Sequence, residues 1–247
     1  EEHLSNTPRQ IFIVHALGYP LPQYAHLPYV AEPGSKKKLS KRKLDQYLKN
    51  VDFAKVHQHG LAIAKAIGLT TSVETFNPVT VDFYEQVGYL PEAIVNYLLL
   101  LGWSLDDKTE IFSRDQMIAG FSLERVNKGP ASFDPAKLVA FQAHYMKEVP
   151  LDEKVRRVTP YLEKAGMVKP GGADPAYLSR IVEILGDRIK VFGDIVLQAG
   201  FFFGELSGYD DKAFAKRLLA PGAADRLAEY RGWLAEQADF SSHGLEA

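Results

Sequence analysis

Several prolines of this chain stand at the starts of helical patterns, and these starts strongly constrain the fold. Pro8, Pro91 and Pro135 each stand where a helical pattern begins. Proline is tolerated in the first turn of a helix and breaks its interior, so these positions predict helix starts. Around Pro8, Thr7 and Gln10 have the spacing of a capping box, which strengthens that start.

The second half of the chain shows only helical patterns. Pro150 marks a boundary, and breaks rich in glycine or proline at 169–172 and 220–222 separate the patterns that follow. Upstream, the run from Ile94 to Leu101 is apolar nearly all round, which predicts a helix buried on several sides. The only predicted strand is a short one at Leu27–Val30. The helices predicted after Pro150 are 151–165, 175–185, 188–204, 210–219 and 223–238.

Composition limits the class of protein. The chain has 247 residues with 46% hydrophobic content, enough for a sizeable core and two or more modules. It has no cysteine, which excludes disulfides and Cys-based zinc sites and suits a reducing cytoplasm. The longest apolar stretch, Ala93–Leu101, is too short to span a bilayer, so no membrane partner is expected. The seven histidines are scattered, and no metal site is predicted.

One segment is strongly basic. Six of the eight residues from Lys36 to Lys43 are Lys or Arg, and they follow a Pro33-Gly34 turn. The whole chain is close to neutral, with 29 Lys and Arg against 31 Asp and Glu. A local cationic loop on a neutral protein favours a local anion such as a nucleotide polyphosphate. Taken alone, such a run is more often a solvated turn or a nonspecific nucleic-acid patch.

The flanking sequence favours a nucleotide-binding loop over a solvated turn or a nonspecific patch. Around Lys38-Leu39-Ser40-Lys41-Arg42, five blocks stand in a fixed order, and together they closely resemble bacterial glutamyl-tRNA synthetases of class I. The basic pentapeptide resembles the second signature of that class, the mobile "KMSKS" loop. The five blocks are EEHLSNTPRQ at 1–10, AHLPYV at 25–30, GYLPEAIVNYLLLLGW at 88–103, FSLERV at 121–126 and FDPAKL at 133–138.

The resemblance implies a mainly α fold with a small α/β remnant, in four parts. Residues 1–42 are expected to end a Rossmann-type catalytic domain and to carry the KMSKS-type loop. Residues 79–150 are expected to form a helical stem-contact domain, and 151–247 a truncated helical anticodon-binding domain. Common relatives lack most of 43–78, so this segment is predicted to be an insertion, either an elaborated hinge packed on the stem-contact domain or the site of a new activity, with the hinge favoured.

The same resemblance implies glutamate–tRNA ligase activity, with ATP and Mg²⁺, L-glutamate and tRNA(Glu), in a cytoplasmic monomer. Nothing here resembles the first half of the family's catalytic domain. We therefore expect an internal fragment that is inactive by itself and whose function belongs to the parent enzyme. The alternative is a non-catalytic tRNA-binding module from a truncated paralogue. The sequence from Ser40 to Leu44 also resembles glutaminyl enzymes, although the downstream blocks favour the glutamyl branch.

The resemblance assigns catalytic roles to Lys38, Ser40 and Lys41. Lysine is a compact cation on a flexible stem, suited to polyphosphate. Lys41 matches the signature lysine expected to meet the charge that develops as pyrophosphate leaves. Ser40 either donates a hydrogen bond to a phosphate oxygen or fixes the turn. Arg42 is expected to contact the nucleotide or the inner face of the tRNA, and both alternatives stay open.

Two further positions are expected to bind ATP. Glu2 matches an acidic residue near the ribose, where a carboxylate accepts hydroxyl hydrogen bonds; the alternative is a carboxylate that serves the following helix dipole. Val30 is expected to offer backbone groups to adenine.

A third group of expected residues lies in the C-terminal helices. There, Arg188 matches an anticodon-reading position or is an ordinary surface arginine, and Lys190 is expected to contact tRNA phosphate. The Phe201–Phe203 run is predicted to be core rather than a base-stacking platform.

Overall fold

The computed structural model describes residues 3–106, 108–204 and 208–239. Its contacts divide the chain into two units, Glu1–Phe203 and Gly204–Ala247. The helices of the first unit are α1 (Thr7–Ala16), α2 (Leu44–Tyr47), α3 (Val51–Ala66), α4 (Val81–Val87), α5 (Pro91–Leu100), α6 (Arg114–Gly120), α7 (Pro135–Glu148), α8 (Leu151–Lys164), α9 (Pro175–Leu185) and α10 (Ile195–Gln198).

Short 3₁₀ turns connect several of these helices. The turns lie at Leu4–Asn6, Lys41–Lys43, Leu123–Arg125, Gly186–Arg188, Phe192–Asp194 and Gly200–Phe202. The second unit has α11 (Asp211–Ala213), a π-helical segment (Phe214–Leu218) and α12 (Ala223–Glu236). The mainly α fold class is therefore confirmed. None of the described helices is both long enough and apolar enough to cross a bilayer.

Proline begins helices α5 and α7, as predicted. Asp134 caps α7 by accepting a hydrogen bond from the amide of Lys137 at 3.0 Å. The capping box predicted at Thr7 is wrong. A 3₁₀ turn runs directly into α1, so Thr7 already has helical dihedrals and Asn6 is the N-cap. The Thr7 hydroxyl instead donates to the backbone carbonyl of His3 at 3.3 Å.

The strand predicted at Leu27–Val30 is wrong. That backbone forms no ladder, and among the described residues pairing there is limited to isolated bridges of Ala31 with Lys38 and with Ser132. The single helix predicted at 188–204 is also wrong. The Asp194 carboxylate accepts hydrogen bonds from the amides of Lys190 and Val191, at 2.7 and 2.9 Å. Those amides are therefore withdrawn from a helical ladder, and the segment breaks into short turns.

One hydrophobic cluster joins α2, α3, α4, α5 and α7. Helix α3 approaches its neighbours closely because glycine stands at two contact points. A methyl group added at Gly60 would lie 2.5 Å from Phe83, and one added at Gly193 would lie 2.6 Å from both Ile63 and the backbone oxygen of Val87. Since α2 and α3 belong to residues 43–78, this segment is part of the core of the first unit.

A second cluster packs α8 and α9 against residues 189–199. Phe202 and Phe203 pack against this cluster, but Phe201 is 55% exposed, so the prediction that all three are core fails at Phe201. The prediction for α5 fails in the same way. Its face with Ala93 and Tyr97 is buried, whereas Val95 and Leu98 on the opposite face are about half exposed.

Candidate functional site

The basic segment closes a short hairpin. The amide of Leu39 donates to the Val30 carbonyl at 2.9 Å, and the amide of Glu32 donates to the Lys37 carbonyl at 2.7 Å. Between these hydrogen bonds the chain turns at Gly34, whose φ of +67° is a left-handed conformation that favours glycine. The geometry places the lysines that follow Gly34 at the tip and on the outer arm of the hairpin.

The inner arm of the hairpin is attached to residues 131–133. The amide of Ala31 donates to the Ala131 carbonyl at 2.8 Å, and the amide of Phe133 donates to the Ala31 carbonyl at 2.9 Å. The Ser132 hydroxyl donates to the Glu32 carbonyl at 2.7 Å and accepts from the amide of Gly34 at 2.9 Å. The loop is thus bound to the segment that precedes α7, about a hundred residues later in the chain.

An ion pair between a buried carboxylate and a partly exposed lysine lies under the hairpin. Glu32 is only 8% exposed, and its Oε1 atom accepts hydrogen bonds from Lys43 Nζ at 2.6 Å and from the Tyr47 hydroxyl at 3.3 Å. The hydrogen bond from Lys43 is the main cause that lowers the pKa of Glu32, and it exceeds the opposing effect of burial. The same hydrogen bond raises the pKa of Lys43. Both groups are therefore charged at neutral pH.

The backbone at Ser40 and Lys41 is held from two sides. The Ser40 amide donates to the Tyr47 hydroxyl at 2.9 Å, and the Asn77 side-chain amide donates to the Lys41 carbonyl at 2.9 Å. Asn77 is 1% exposed, and Tyr47 is 4% exposed. Both anchoring side chains come from residues 43–78, which gives this segment a direct part in shaping the basic loop.

The cationic side chains of the loop point outward. Lys36, Lys37, Lys38, Lys41 and Arg42 are all exposed. Within the part of the chain that the structure describes, Lys41 and Arg42 form no ion pair. Because Lys41 has no ion pair there, its ammonium group can bind a phosphate without first breaking a salt bridge.

The structure therefore brings together Val30, Lys38, Ser40, Lys41 and Arg42 in one hairpin. The half-buried Val30 already uses its carbonyl to accept the Leu39 amide. The position predicted to contact the ribose, Glu2, lies outside the described residues. In the described residues there is no group of three or more side chains of the kinds that ligate metals.

Arg188 and Lys190 lie apart from the hairpin. Both side chains are exposed, and they line a cavity of about 940 Å³ together with Lys55 and His59 of α3. Two side chains fix the backbone at Lys190. Its amide donates to Asp194, as described above, and its carbonyl accepts a hydrogen bond from the Gln142 side chain at 2.8 Å.

Family models match almost the whole chain. The model described as "tRNA synthetases class I (E and Q), catalytic domain" matches residues 1–75 and 74–140. The chain belongs to this family of class I tRNA synthetases. A second model, described as "Anticodon binding domain", matches residues 153–247 of the same synthetase chain.

Curated relatives bear the name of one enzyme. The glutamate–tRNA ligase of Moorella thermoacetica is 37% identical over 248 residues, which cover 100% of this synthetase chain and 44% of the relative. Glutamate–tRNA ligase 1 of Caldanaerobacter subterraneus is 39% identical over 92% of this chain and 40% of its own length. The resemblance read from the sequence is confirmed. The chain spans less than half the length of these relatives.

Solved structures agree with the fold. A glutamate tRNA ligase from Elizabethkingia meningosepticum, crystallised in complex with its amino acid, superposes with a TM-score of 0.66 at 27% identity. That match covers 96% of this synthetase chain and 43% of the crystallised one. The glutamate–tRNA synthetase of Elizabethkingia anophelis superposes with a TM-score of 0.60 at the same identity, over 87% of this chain and 40% of its own.

Sequence reasoning missed the anchors of the basic loop in this synthetase chain. Glu32 carried a usable signal, because it is the only acidic residue between Ala31 and Leu44 and faces a run of lysines. Tyr47 and Asn77 carried none. Both belong to residues 43–78, and their contacts with Ser40 and Lys41 arise only when that segment folds back onto the hairpin.

The ion pair under the hairpin predicts a pH-dependent stability. Because the folded-state pKa of Glu32 is lowered from its ordinary 4.5, its stabilising effect is fully present above pH 4.5 and is lost as the pH falls through the lowered value. Glu32→Gln should therefore lower the free energy of unfolding at pH 7. The difference from the unsubstituted chain should shrink at pH 3.5, as measured by urea unfolding at both pH values.

The matched control is Glu110→Gln. Glu110 also pairs with a lysine, Lys137 at 2.7 Å, but its side chain is 59% exposed. Exposed pairs contribute little to stability, so this control should change the unfolding free energy by less than about 1 kcal/mol at pH 7. Equal losses for the two variants at pH 7 would contradict the role given to Glu32.

Proposed function

We propose that the whole protein to which this chain belongs is a glutamate–tRNA ligase. The observation that carries the proposal is the basic loop at Lys38–Arg42, whose backbone is fixed and whose cations are exposed. The loop lies in a chain that is 37% identical, over its full length, to a relative named glutamate–tRNA ligase. A solvated basic turn needs no buried anchors, whereas a loop that positions cations for a reaction does.

The proposed reaction has two steps. The carboxylate of glutamate attacks the α-phosphate of ATP, which forms glutamyl-adenylate and releases pyrophosphate. A hydroxyl of the terminal ribose of tRNA(Glu) then attacks the glutamyl carbonyl, which forms the aminoacyl ester at the 3′ end and releases AMP. The first step depends on positioning and charge neutralisation. We assign Lys38 and Lys41 to the phosphates, with Lys41 meeting the charge on the departing pyrophosphate. The Ser40 hydroxyl donates a hydrogen bond to a phosphate oxygen, and Arg42 contacts the nucleotide or the tRNA.

ATP brings Mg²⁺ with it in this proposal. The donors that the described part of the loop offers are ammonium and hydroxyl groups, which suit phosphate oxygens and not a divalent cation. Mg²⁺ would therefore be held mainly by the phosphates. Val30 would meet adenine through its backbone and Glu2 would meet the ribose. The family and the bacterial relatives also support tRNA and L-glutamate as substrates of a cytoplasmic enzyme, and we expect a monomer.

The division of the chain follows the same proposal. Residues 1–42 belong to the catalytic domain, 43–78 to an insertion, 79–150 to the stem-contact domain and 151–247 to the anticodon-binding domain. Arg188 and Lys190 would contact tRNA from the cavity that they line. Exposed Arg and Lys side chains on a rigid backbone suit base edges and phosphates respectively.

The first prediction of this proposal concerns Lys41. In the whole protein, Lys41→Ala should lower the rate of glutamate activation about 10²–10³-fold and change the affinity for ATP much less, because the contact is strongest in the transition state. Glutamate-dependent exchange of pyrophosphate into ATP measures this rate. Lys36→Ala removes another exposed lysine from the same hairpin and is expected to have little effect.

Two outcomes would count against the activity. An unchanged rate for Lys41→Ala would favour the alternative interpretation, in which the loop is a solvated turn without a catalytic role. No exchange at all by the unsubstituted whole protein would instead favour a non-catalytic tRNA-binding module. The same assay with glutamine in place of glutamate shows which of the two amino acids the protein activates.

The second prediction concerns Arg188. If Arg188 reads an anticodon base, Arg188→Gln should cost on the order of 1–3 kcal/mol on the tRNA that carries that base and less on others. Lys190→Gln is the matched comparison, since a phosphate contact should weaken binding to every tRNA alike and flatten the salt dependence. The measurement is aminoacylation of tRNAs that differ only in the anticodon. Equal losses on all of them for Arg188→Gln would rule out base reading.

A further inference from the structure

The hydroxyl of Tyr47 occupies the junction between the basic loop and residues 43–78. It accepts the amide hydrogen of Ser40 at 2.9 Å and lies 3.3 Å from Glu32 Oε1, to which it donates. A hydroxyl has one hydrogen to donate and two lone pairs, so both contacts can form at once. The Tyr47 ring also packs against Phe53, with the ring centroids 5.5 Å apart. The hydroxyl is thus fixed by the core and in turn fixes Ser40.

Asn77 acts on the next peptide group. Its side-chain amide donates to the Lys41 carbonyl at 2.9 Å, and its side-chain oxygen accepts from the amide of Val79 at 3.0 Å. Because the Val79 contact fixes which end of the amide is the oxygen, the nitrogen is oriented toward Lys41. The two residues therefore hold the donor of Ser40 and the acceptor of Lys41 at the same time.

Burial strengthens the hydrogen bonds that Tyr47 and Asn77 form with the loop. Tyr47 and Asn77 are almost fully buried, and a buried polar group that loses its partner destabilises the fold. Ser40 also accepts a hydrogen bond from the amide of Lys43 at 3.1 Å, in the 3₁₀ turn that leads to α2. The backbone of Ser40 and Lys41 is consequently restrained at three points, while the side chain of Lys41 stays exposed.

We infer that Tyr47 and Asn77 are positioning residues for Lys41 in the proposed reaction. They fix the backbone from which the Lys41 ammonium reaches its phosphate, so that only the side-chain torsions remain to be ordered. This inference rests on the proposed function. It gives residues 43–78 a role in catalysis that requires no new activity, because the segment supplies both anchors.

Tyr47→Phe tests the inference, because it removes the hydroxyl and keeps the ring packed against Phe53. In the whole protein this variant should lower kcat for glutamate-dependent pyrophosphate exchange by about tenfold and leave KM for glutamate unchanged. Tenfold corresponds to about 1.4 kcal/mol, close to the worth of one oriented hydrogen bond. Tyr177→Phe is the control. It removes a hydroxyl that donates to the Phe202 carbonyl at 2.8 Å, away from the loop, and should leave kcat unchanged.

A double-mutant cycle separates positioning from general damage. If Tyr47 acts through Lys41, Tyr47→Phe should lower kcat in the unsubstituted protein and have no further effect in the Lys41→Ala background. Equal effects in both backgrounds would overturn the inference, and so would an unchanged kcat for Tyr47→Phe when Lys41→Ala is impaired. An unchanged rate for Lys41→Ala itself would contradict the proposed function instead, so the two failures are distinguishable.

Discussion

The ion pair between Glu32 and Lys43 is the interaction on which the basic loop depends. Five exposed cations within seven residues repel one another, and a loop of that composition alone would remain solvated and without fixed shape. Glu32 places one negative charge beneath them, buried and satisfied by Lys43 and by the Tyr47 hydroxyl. Without Lys43, the buried Glu32 carboxylate would keep only the Tyr47 hydroxyl as a side-chain donor, which costs more than the loss of an exposed pair.

Packing in the first unit holds Tyr47 in place beneath the basic loop. Tyr47 ends α2, and α2 joins α3 in the cluster that also contains parts of α4, α5 and α7. The close approaches at Gly60 and Gly193 let α3 lie tightly against its neighbours. Segment 43–78 is thereby held in the core from one side and contacts the loop from the other. A segment predicted to be an insertion is, in the structure, a support for the most basic part of the chain.

The sequence predicted much of the helical architecture because local signals dominate there. The helix at Pro91 begins at its proline, and the helix at Pro135 begins at its proline with Asp134 as the cap. Two predictions failed where a specific hydrogen-bond partner, which the helix and strand patterns do not show, decided the outcome. The Asp194 carboxylate accepts hydrogen bonds from two backbone amides, and this breaks the helix predicted at 188–204. The strand at Leu27–Val30 lacks a ladder because the chain pairs only at Ala31, with residues that no periodicity reveals.

The residues of the candidate site also differ in whether the sequence could predict them. Lys38, Ser40 and Lys41 were identified from a short contiguous motif, whereas Tyr47 and Asn77 contact that motif only after segment 43–78 folds. The backbone of the loop is fixed although its cations face solvent. Amide hydrogen exchange of Ser40, followed by NMR, measures this directly. We expect this amide to be protected together with that of Leu39, since both are hydrogen-bonded. Exchange of the Ser40 amide at the rate of an unstructured peptide would contradict it.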